Sequence, residues 1–178
     1  MADSVAETMR DRGAFWSPAP DWASARVDRP GWSARRLSAH GRTLVSGDLA
    51  AAKASLAPDA AEVGLWGISP SQPAFLRMAR DKALLVTPQP LAVASGWNAA
   101  GFVATPCDDG YAAFEISGEG LRDVICEATA ADLDAGSPSA AIVFAGVAGI
   151  LYRRAESVAV LEVESPLSAY IWSWLERA

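Results

Sequence analysis

The chain has 178 residues, of which 51% are hydrophobic and 20% charged, and its formal net charge is −6. This length suits one domain or two small halves packed together. The acidic balance argues against a nucleic-acid partner, because contact with phosphates needs clustered Lys and Arg. No apolar stretch reaches the ~20 residues that cross a bilayer. The N-terminus lacks the basic start and apolar core of a secretory signal. We therefore expect a cytoplasmic protein without membrane contact.

Residues 1–45 mix tryptophan with proline and contain seven arginines. They show neither a helical nor a strand period, so the sequence predicts an extended Trp/Pro/Arg-rich arm. Trp16, Trp22 and Trp32 carry too much apolar surface to be left in water. We expect these side chains to dock either on the body of this protein or on another subunit, and the pattern itself leaves both alternatives open.

The first half of the body, about residues 46–100, alternates apolar runs with turn signals. Asp48 is a good N-cap for a short helix, which must end before Pro58. The predicted elements are a strand at 42–47, a helix at 49–56, a strand at 63–68, a helix at 69–79 and a strand at 82–87. A loop rich in Ser, Gly and Asn follows.

The second half, about residues 101–178, begins with strands at 101–105 and 111–116. Asp109-Gly110 lies between them and predicts a hairpin. The later predicted elements are a helix from Ser117 to Ala128, one or two strands within 141–152 turned or bulged at Gly146 or Gly149, and a strand at 158–163. Glu162 and Glu164 are interpreted as the wet face of that last strand.

The order of these elements predicts an α+β fold. It contains two similar ferredoxin-like β-α-β-β-α halves, with antiparallel sheets and helices on one face of each. The sign of a repeat is that Ile68-Ser69 and Ile116-Ser117 each end a strand and begin a helix. The body at 46–178 is therefore predicted to be one domain made of two related parts.

The last helix, residues 165–177, begins with Ser165 as N-cap and Pro166 in the first turn. One face carries the apolar residues Leu167, Tyr170, Ile171, Trp174 and Leu175. Trp172 falls off that face. It joins Trp16, Trp22 and Trp32 as a predicted contact with a partner.

Catalytic motifs are not evident. Gly118-Glu119-Gly120 follows a strand, but Asp123 stands where a dinucleotide-binding fingerprint needs its third glycine. His40 is the only histidine, and Cys107 and Cys126 lack the spacing of a metal site. The sequence therefore predicts no catalytic residue and no metal ligand.

Residues 114–175 resemble the γ subunit of heterotetrameric sarcosine oxidase, within the glycine-cleavage T-protein-like folate-binding group. The chain departs from the family pattern at Glu119 and Glu164. The resemblance is carried by Phe114-Glu115-Ile116-Ser117-Gly118, Leu121-Arg122-Asp123-Val124-Ile125, Asp132-Leu133-Asp134, Ile150-Leu151-Tyr152-Arg153 and Tyr170-Ile171-Trp172-Ser173-Trp174-Leu175.

The resemblance implies a T-protein-like domain that acts as a non-catalytic γ-type subunit of a flavin- and folate-dependent, amine-demethylating oxidase. It implies larger flavoprotein subunits as partners, and these would carry the flavin and the NAD. Tetrahydrofolate binding by this chain stays open. The alternative is a stand-alone protein of one-carbon metabolism that binds folate or another small molecule. A one-carbon transferase is disfavoured, because the chain is about half the size of a full T-protein.

Overall fold

The computed structural model describes residues 20–38 and 40–178. In chain order the elements are β1 (Arg26–Arg29), β2 (Trp32–Arg36), β3 (Gly41–Gly47), α1 (Leu49–Leu56), β4 (Ala61–Val63), β5 (Ala74–Ala79), β6 (Lys82–Thr87), β7 (Gly96–Asn98), β8 (Phe102–Pro106), β9 (Tyr111–Ser117), α2 (Leu121–Ala128), β10 (Ala141–Phe144), β11 (Val147–Ala155), β12 (Val158–Glu164) and α3 (Ser168–Leu175). Short 3₁₀ turns precede β9 and α3.

The strands form two six-stranded sheets. Sheet A has the order β1-β2-β9-β12-β11-β10, and sheet B has the order β4-β5-β6-β3-β8-β7. Every pairing is antiparallel except that of β4 with β5. One apolar cluster lies between the sheets, a second lies between sheet B and α1, and a third lies between sheet A and the helices α2 and α3. The helices therefore cover the outer faces of two facing sheets.

The two halves repeat one arrangement, which confirms the α+β fold with two similar parts. The strands around α1 stand in the order β4-β5-β6-β3, and those around α2 stand in the order β10-β11-β12-β9. Each half is thus β-α-β-β-β, where β-α-β-β-α was predicted, and α3 is appended to the second half only. The repeat aligns Gly47 with Gly118, at the ends of β3 and β9, and not the Ile-Ser pairs that suggested it from the sequence.

The helix predicted at 69–79 is wrong, because this region contains strand β5. Ala74, Phe75 and Leu76 are all at most 1% exposed, since sheet A covers one face of β5 and α1 the other. A strand that is buried on both faces appears in the sequence as a continuous apolar run. Such a run lacks the alternation of a half-exposed strand, so its pattern does not distinguish it from a buried helix. The strand predicted at 63–68 is also wrong, because β4 spans Ala61–Val63 and the residues after it form only isolated bridges at Leu65 and Ile68.

The hairpin predicted from strands 101–105 and 111–116 is wrong as well. β8 pairs with β3 in sheet B, whereas β9 pairs with β12 and β2 in sheet A. Between them Asp108–Gly110 forms a 3₁₀ turn that carries the chain from one sheet to the other. The Asp-Gly pair marks a turn, but turn chemistry does not say which strands will pair.

The prediction of an arm without strands is wrong for residues 26–36. They form the hairpin β1–β2, whose second strand pairs with β9. Val27 and Ala34 are buried in the core, while Arg26, Asp28, Arg29 and Arg35 are exposed. Such an edge hairpin has a weak apolar alternation, which the neighbouring prolines and tryptophans obscured. Trp16 lies outside the described residues.

Each half receives a hairpin that precedes the other half in the chain. Hairpin β1–β2 leads into β3 but pairs with β9, and hairpin β7–β8 leads into β9 but pairs with β3. The turn glycine of each hairpin then reaches the helix of the half it joins. Gly31 O accepts from Gly120 N at α2, and Gly101 O accepts from Asp48 N at α1. The exchange ties the two halves into one folding unit.

Candidate functional site

The C-terminal helix packs differently from the sequence prediction. Ile171, Trp172 and Leu175 are at most 3% exposed, whereas Tyr170 is 47% exposed. Ser165 does not cap the helix with its side chain, because its hydroxyl donates to Asp109 O at 2.6 Å. α3 begins only at Ser168, after a 3₁₀ turn that shifts the helical phase. The expectation that Trp172 lies off the packed face is therefore wrong.

Trp172 belongs to an aromatic cluster with Trp22 and Phe114. The Trp22 and Trp172 ring centroids lie 5.8 Å apart, and each ring lies 6.1 Å from that of Phe114. The Arg36 guanidinium sits 4.8 Å above the Trp22 ring. Trp32 is half-buried against the same core. These three tryptophans dock on their own chain. Contact of Trp16, Trp22, Trp32 or Trp172 with a partner stays a prediction.

A polar cavity of about 520 Å³ opens beside this cluster, where β2 separates from β9 and the chain crosses between the sheets. Its lining includes Trp22, Arg36, Arg42, Asp108, Asp109, Tyr111 and Ser165. The volume is in the range of small-molecule pockets, and charged, hydroxyl and aromatic groups converge on it. It is therefore a candidate site for a small polar molecule.

The deepest charged group of the cavity is Arg42, which is 2% exposed. Its Nε donates to Glu162 Oε2 at 2.9 Å, and its Nη1 donates to Asp108 O at 3.2 Å. Glu162, on β12, is 1% exposed. Burial raises the pKa of Glu162, and the neighbouring Arg42 charge opposes that rise. The pair joins sheet B to sheet A, so interpreting Glu162 as part of a wet face was wrong.

The other titratable groups near the cavity are perturbed chiefly by burial. Burial, with help from Arg154 and Arg42, lowers the pKa of His40, so its imidazole is neutral at pH 7. Burial raises the pKa of the Cys107 thiol and of Tyr111. A thiol with a raised pKa is a poor nucleophile, since the thiolate is the reactive form. The described groups at this cavity can therefore hold a polar molecule, but they do not form an activated nucleophile–base pair.

Metal ligation finds no support in the part of the chain that the structure describes, because no group of three or more His, Cys, Asp or Glu side chains comes together there. Cys107 and Cys126 are both free. Among the described residues, no helix is long and apolar enough to cross a membrane.

A second candidate lies on the outer side of sheet B and is named the uncharged surface. It comprises Pro88–Ala100, which links β6 to β7 and includes β7, and the adjoining cleft. No residue of Pro88–Ala100 is fully buried, and Trp97 is 73% exposed. Leu91 and Val93 anchor the segment beside α1. The cleft, about 410 Å³, is lined by Leu56, Ala57, Pro58, Asp59, Pro73, Thr87, Pro88, Gln89, Pro90 and Leu91.

From its sequence this stretch was predicted only as a loop. The signal it missed is compositional, because residues 83–107 contain no Asp, Glu, Lys, Arg or His in a chain that is 20% charged. Trp97 was not singled out either, since one tryptophan in a loop has no period to place it.

Comparison with known proteins identifies the fold. Neither a family model nor a curated protein matches the sequence. A solved structure that is similar is "Heterotetrameric Sarcosine Oxidase from Corynebacterium sp. U-96 in complex with pyrrole 2-carboxylate", with a TM-score of 0.61 and 16% sequence identity. The match covers 82% of this chain and 82% of that chain. The fold of this protein is thus that of a chain found in a heterotetrameric oxidase.

Proposed function

We propose that this protein is a non-catalytic, γ-type subunit of a hetero-oligomeric oxidase of the sarcosine oxidase type. The observation that carries the proposal is the shared fold, which extends over 82% of both chains. In such a complex the larger flavoprotein subunits would hold the flavin and the NAD and would remove the methyl group from the amine. This chain would contribute structure and contact surface.

Two features of the described residues support a subunit role. The polar cavity has no activated nucleophile, since the His40 pKa is lowered and the Cys107 pKa is raised. The uncharged surface presents an exposed tryptophan, a residue type that often dominates binding at protein interfaces. Both fit a chain that binds a partner more readily than one that catalyses by itself.

The test is co-expression of the tagged chain with flavoprotein subunits of the sarcosine oxidase type from the same genome. We expect a complex of fixed stoichiometry that carries flavin absorbance through size-exclusion chromatography and oxidises an N-methylated amine. The tag alone, expressed with the same subunits, is the control. A tagged chain that elutes as a stable monomer, free of flavoprotein, would contradict the proposal.

Tetrahydrofolate binding by this chain stays a prediction, and with it the alternative of a stand-alone folate-binding protein. The polar cavity beside Trp22 offers a way to examine it. Titration of the isolated chain with tetrahydrofolate, followed by tryptophan fluorescence, should give saturable quenching if that alternative holds. A Trp22→Phe variant assigns the quenching to the cavity.

A further inference from the structure

We propose that the uncharged surface is the docking site for an uncharged, apolar segment of the larger flavoprotein subunit. This inference rests on the proposed function, because it names where the partner of that function binds. It places the contact on the outer side of sheet B, and not on the N-terminal tryptophans.

The charge pattern is the first argument. Residues 83–107 contain no ionisable side chain other than Cys107, and Asp59 is the only charged residue among those lining the adjoining cleft. The edge hairpin of the other sheet is different, since β1–β2 exposes Arg26, Asp28 and Arg29. Protein interfaces are depleted of charge at their centre. A charged partner segment would find no ion-pair partner on this surface. An apolar partner segment would bind there without the cost of desolvating ions.

Trp97 is the second argument. It is the most exposed large hydrophobic residue in the described chain, at 73%, and it lies on β7. β7 is an edge strand of sheet B, so one side of its backbone is not paired within the sheet. Proteins usually protect such edges with charged residues. Here the edge carries a tryptophan flanked by Gly96 and Asn98, which favours a partner that covers it.

The cleft is the third argument, because it gives the surface a concave end. Its apolar lining comes from the end of α1, the start of β5 and the residues after β6. Pro88–Ala100 runs from this cleft to Trp97 as one continuous chain. A partner segment therefore meets an apolar recess at one end and an aromatic side chain at the other, an arrangement that suits an extended peptide.

The experiment measures the affinity between the purified chain and the purified flavoprotein subunits. Trp97→Asp places a charge at the centre of the surface. We expect it to weaken binding by about 30-fold or more, the loss typical of a dominant interface residue. Val143→Asp is the matched control, since Val143 is 62% exposed on β10, an edge strand of sheet A. It should leave the affinity within about threefold of wild type, as a surface change away from an interface does. Equal unfolding transitions show that both variants are folded.

Each other outcome overturns the inference. If wild type binds and Trp97→Asp binds equally well, the docking site is elsewhere and the proposed function survives. If wild type does not bind the flavoprotein subunits, the proposed function and the docking site both fail. If light scattering shows that the isolated chain is a dimer that Trp97→Asp dissociates, the surface joins two copies of this chain. A Trp97→Cys variant that lacks Cys107 and Cys126 reports, by its reaction with a thiol reagent, whether position 97 is accessible. If the thiol reacts only after residues 1–19 are deleted, this chain covers its own surface.

Discussion

The two hairpins occupy equivalent places, each beside the first strand of the half that it joins, yet their surfaces differ. Hairpin β1–β2 is charged, and its ion pairs include Arg26 with Asp28 at 2.8 Å and Arg35 with Glu115 at 2.7 Å. Hairpin β7–β8 has no charged residue and exposes Trp97. The shared backbone arrangement fixes where an edge occurs. The side chains then decide whether that edge is protected by charge or left suitable for a partner.

The interior of the two halves differs in the same way. Counted back equally from Gly47 and Gly118, Arg42 corresponds to Ala113, and their strand partners Val86 and Glu162 also correspond. One of the two equivalent places between the sheets therefore holds an ion pair, and the other holds two apolar residues of the inter-sheet core. The two halves therefore share a backbone arrangement, but different side-chain contacts join the sheets at the two equivalent places.

Breaking the ion pair should have the largest effect. Arg42→Ala leaves Glu162 buried without its partner and should lower the free energy of unfolding by about 3–5 kcal/mol. Urea denaturation followed by tryptophan fluorescence measures this. Arg26→Ala, which removes an exposed pair, is the control and should cost about 0–1 kcal/mol.

A double variant tests whether the two places are equivalent. Arg42→Met with Glu162→Leu makes this place resemble the apolar Ala113–Val86 counterpart. We expect its stability to return to within about 1 kcal/mol of wild type, because replacing a whole buried pair by apolar residues is often neutral. A double variant as unstable as Arg42→Ala would show that the pair contributes more than its charges.

The glycine junctions should give the next largest effect. A Cβ at Gly118 would collide with Gly31 O, and one at Gly47 would lie 2.6 Å from Gly101 O, both at positive φ. Gly118→Ala should cost about 2–4 kcal/mol and Gly47→Ala less, since overpacking costs about 1–3 kcal/mol and the backbone strain is added to it. Gly96→Ala is the control, because φ is +123° there but nothing lies within 4 Å. If all three cost the same, the close contact between hairpin and helix contributes nothing.

A smaller effect is expected at the helix caps, where the halves differ again. The Asp48 side chain accepts from Ala51 N at 3.0 Å, whereas Gly120 at the start of α2 has no side chain to do so. Asp48→Ala should therefore lower stability by about 1 kcal/mol in the same urea experiment. Asp59→Ala, on an exposed turn, should have no measurable effect. Equal stability of the two variants would exclude a role for the cap.

The smallest effect should come from His40, between β2 and β3. Burial holds the pKa of His40 in the folded protein below its ordinary value, so the unfolded chain binds a proton more readily. Stability should therefore fall as the pH is lowered through about 6.5, and above that range His40 should contribute no pH dependence. Urea midpoints at about pH 7.5 and pH 5.5, compared with those of His40→Gln, measure this. The variant should show the weaker dependence, and an identical slope would contradict the pKa shift.

Most of the single elements could be predicted from the sequence, because local patterns carry the information. The cap at Asp48 and the turn between β10 and β11 were predicted correctly. Errors arose where the signal is not local. β5 was mistaken for a helix, since burial on both faces removes its alternation. β8 and β9 were paired with each other, since a turn does not specify in which sheet a strand lies.

The candidate sites show the same division. The sequence by itself determined the α+β class, since periodicity and turn residues record what each segment does within a few residues. It also suggested two related halves, but from Ile-Ser pairs that the structure does not align. The tertiary structure alone decided that the hairpins exchange between the halves, that Arg42 meets Glu162 across the sheets, and that Trp172 is buried while Trp97 is exposed. These features depend on contacts between residues that are far apart in the chain. The local pattern around a residue does not show which distant residues it will contact.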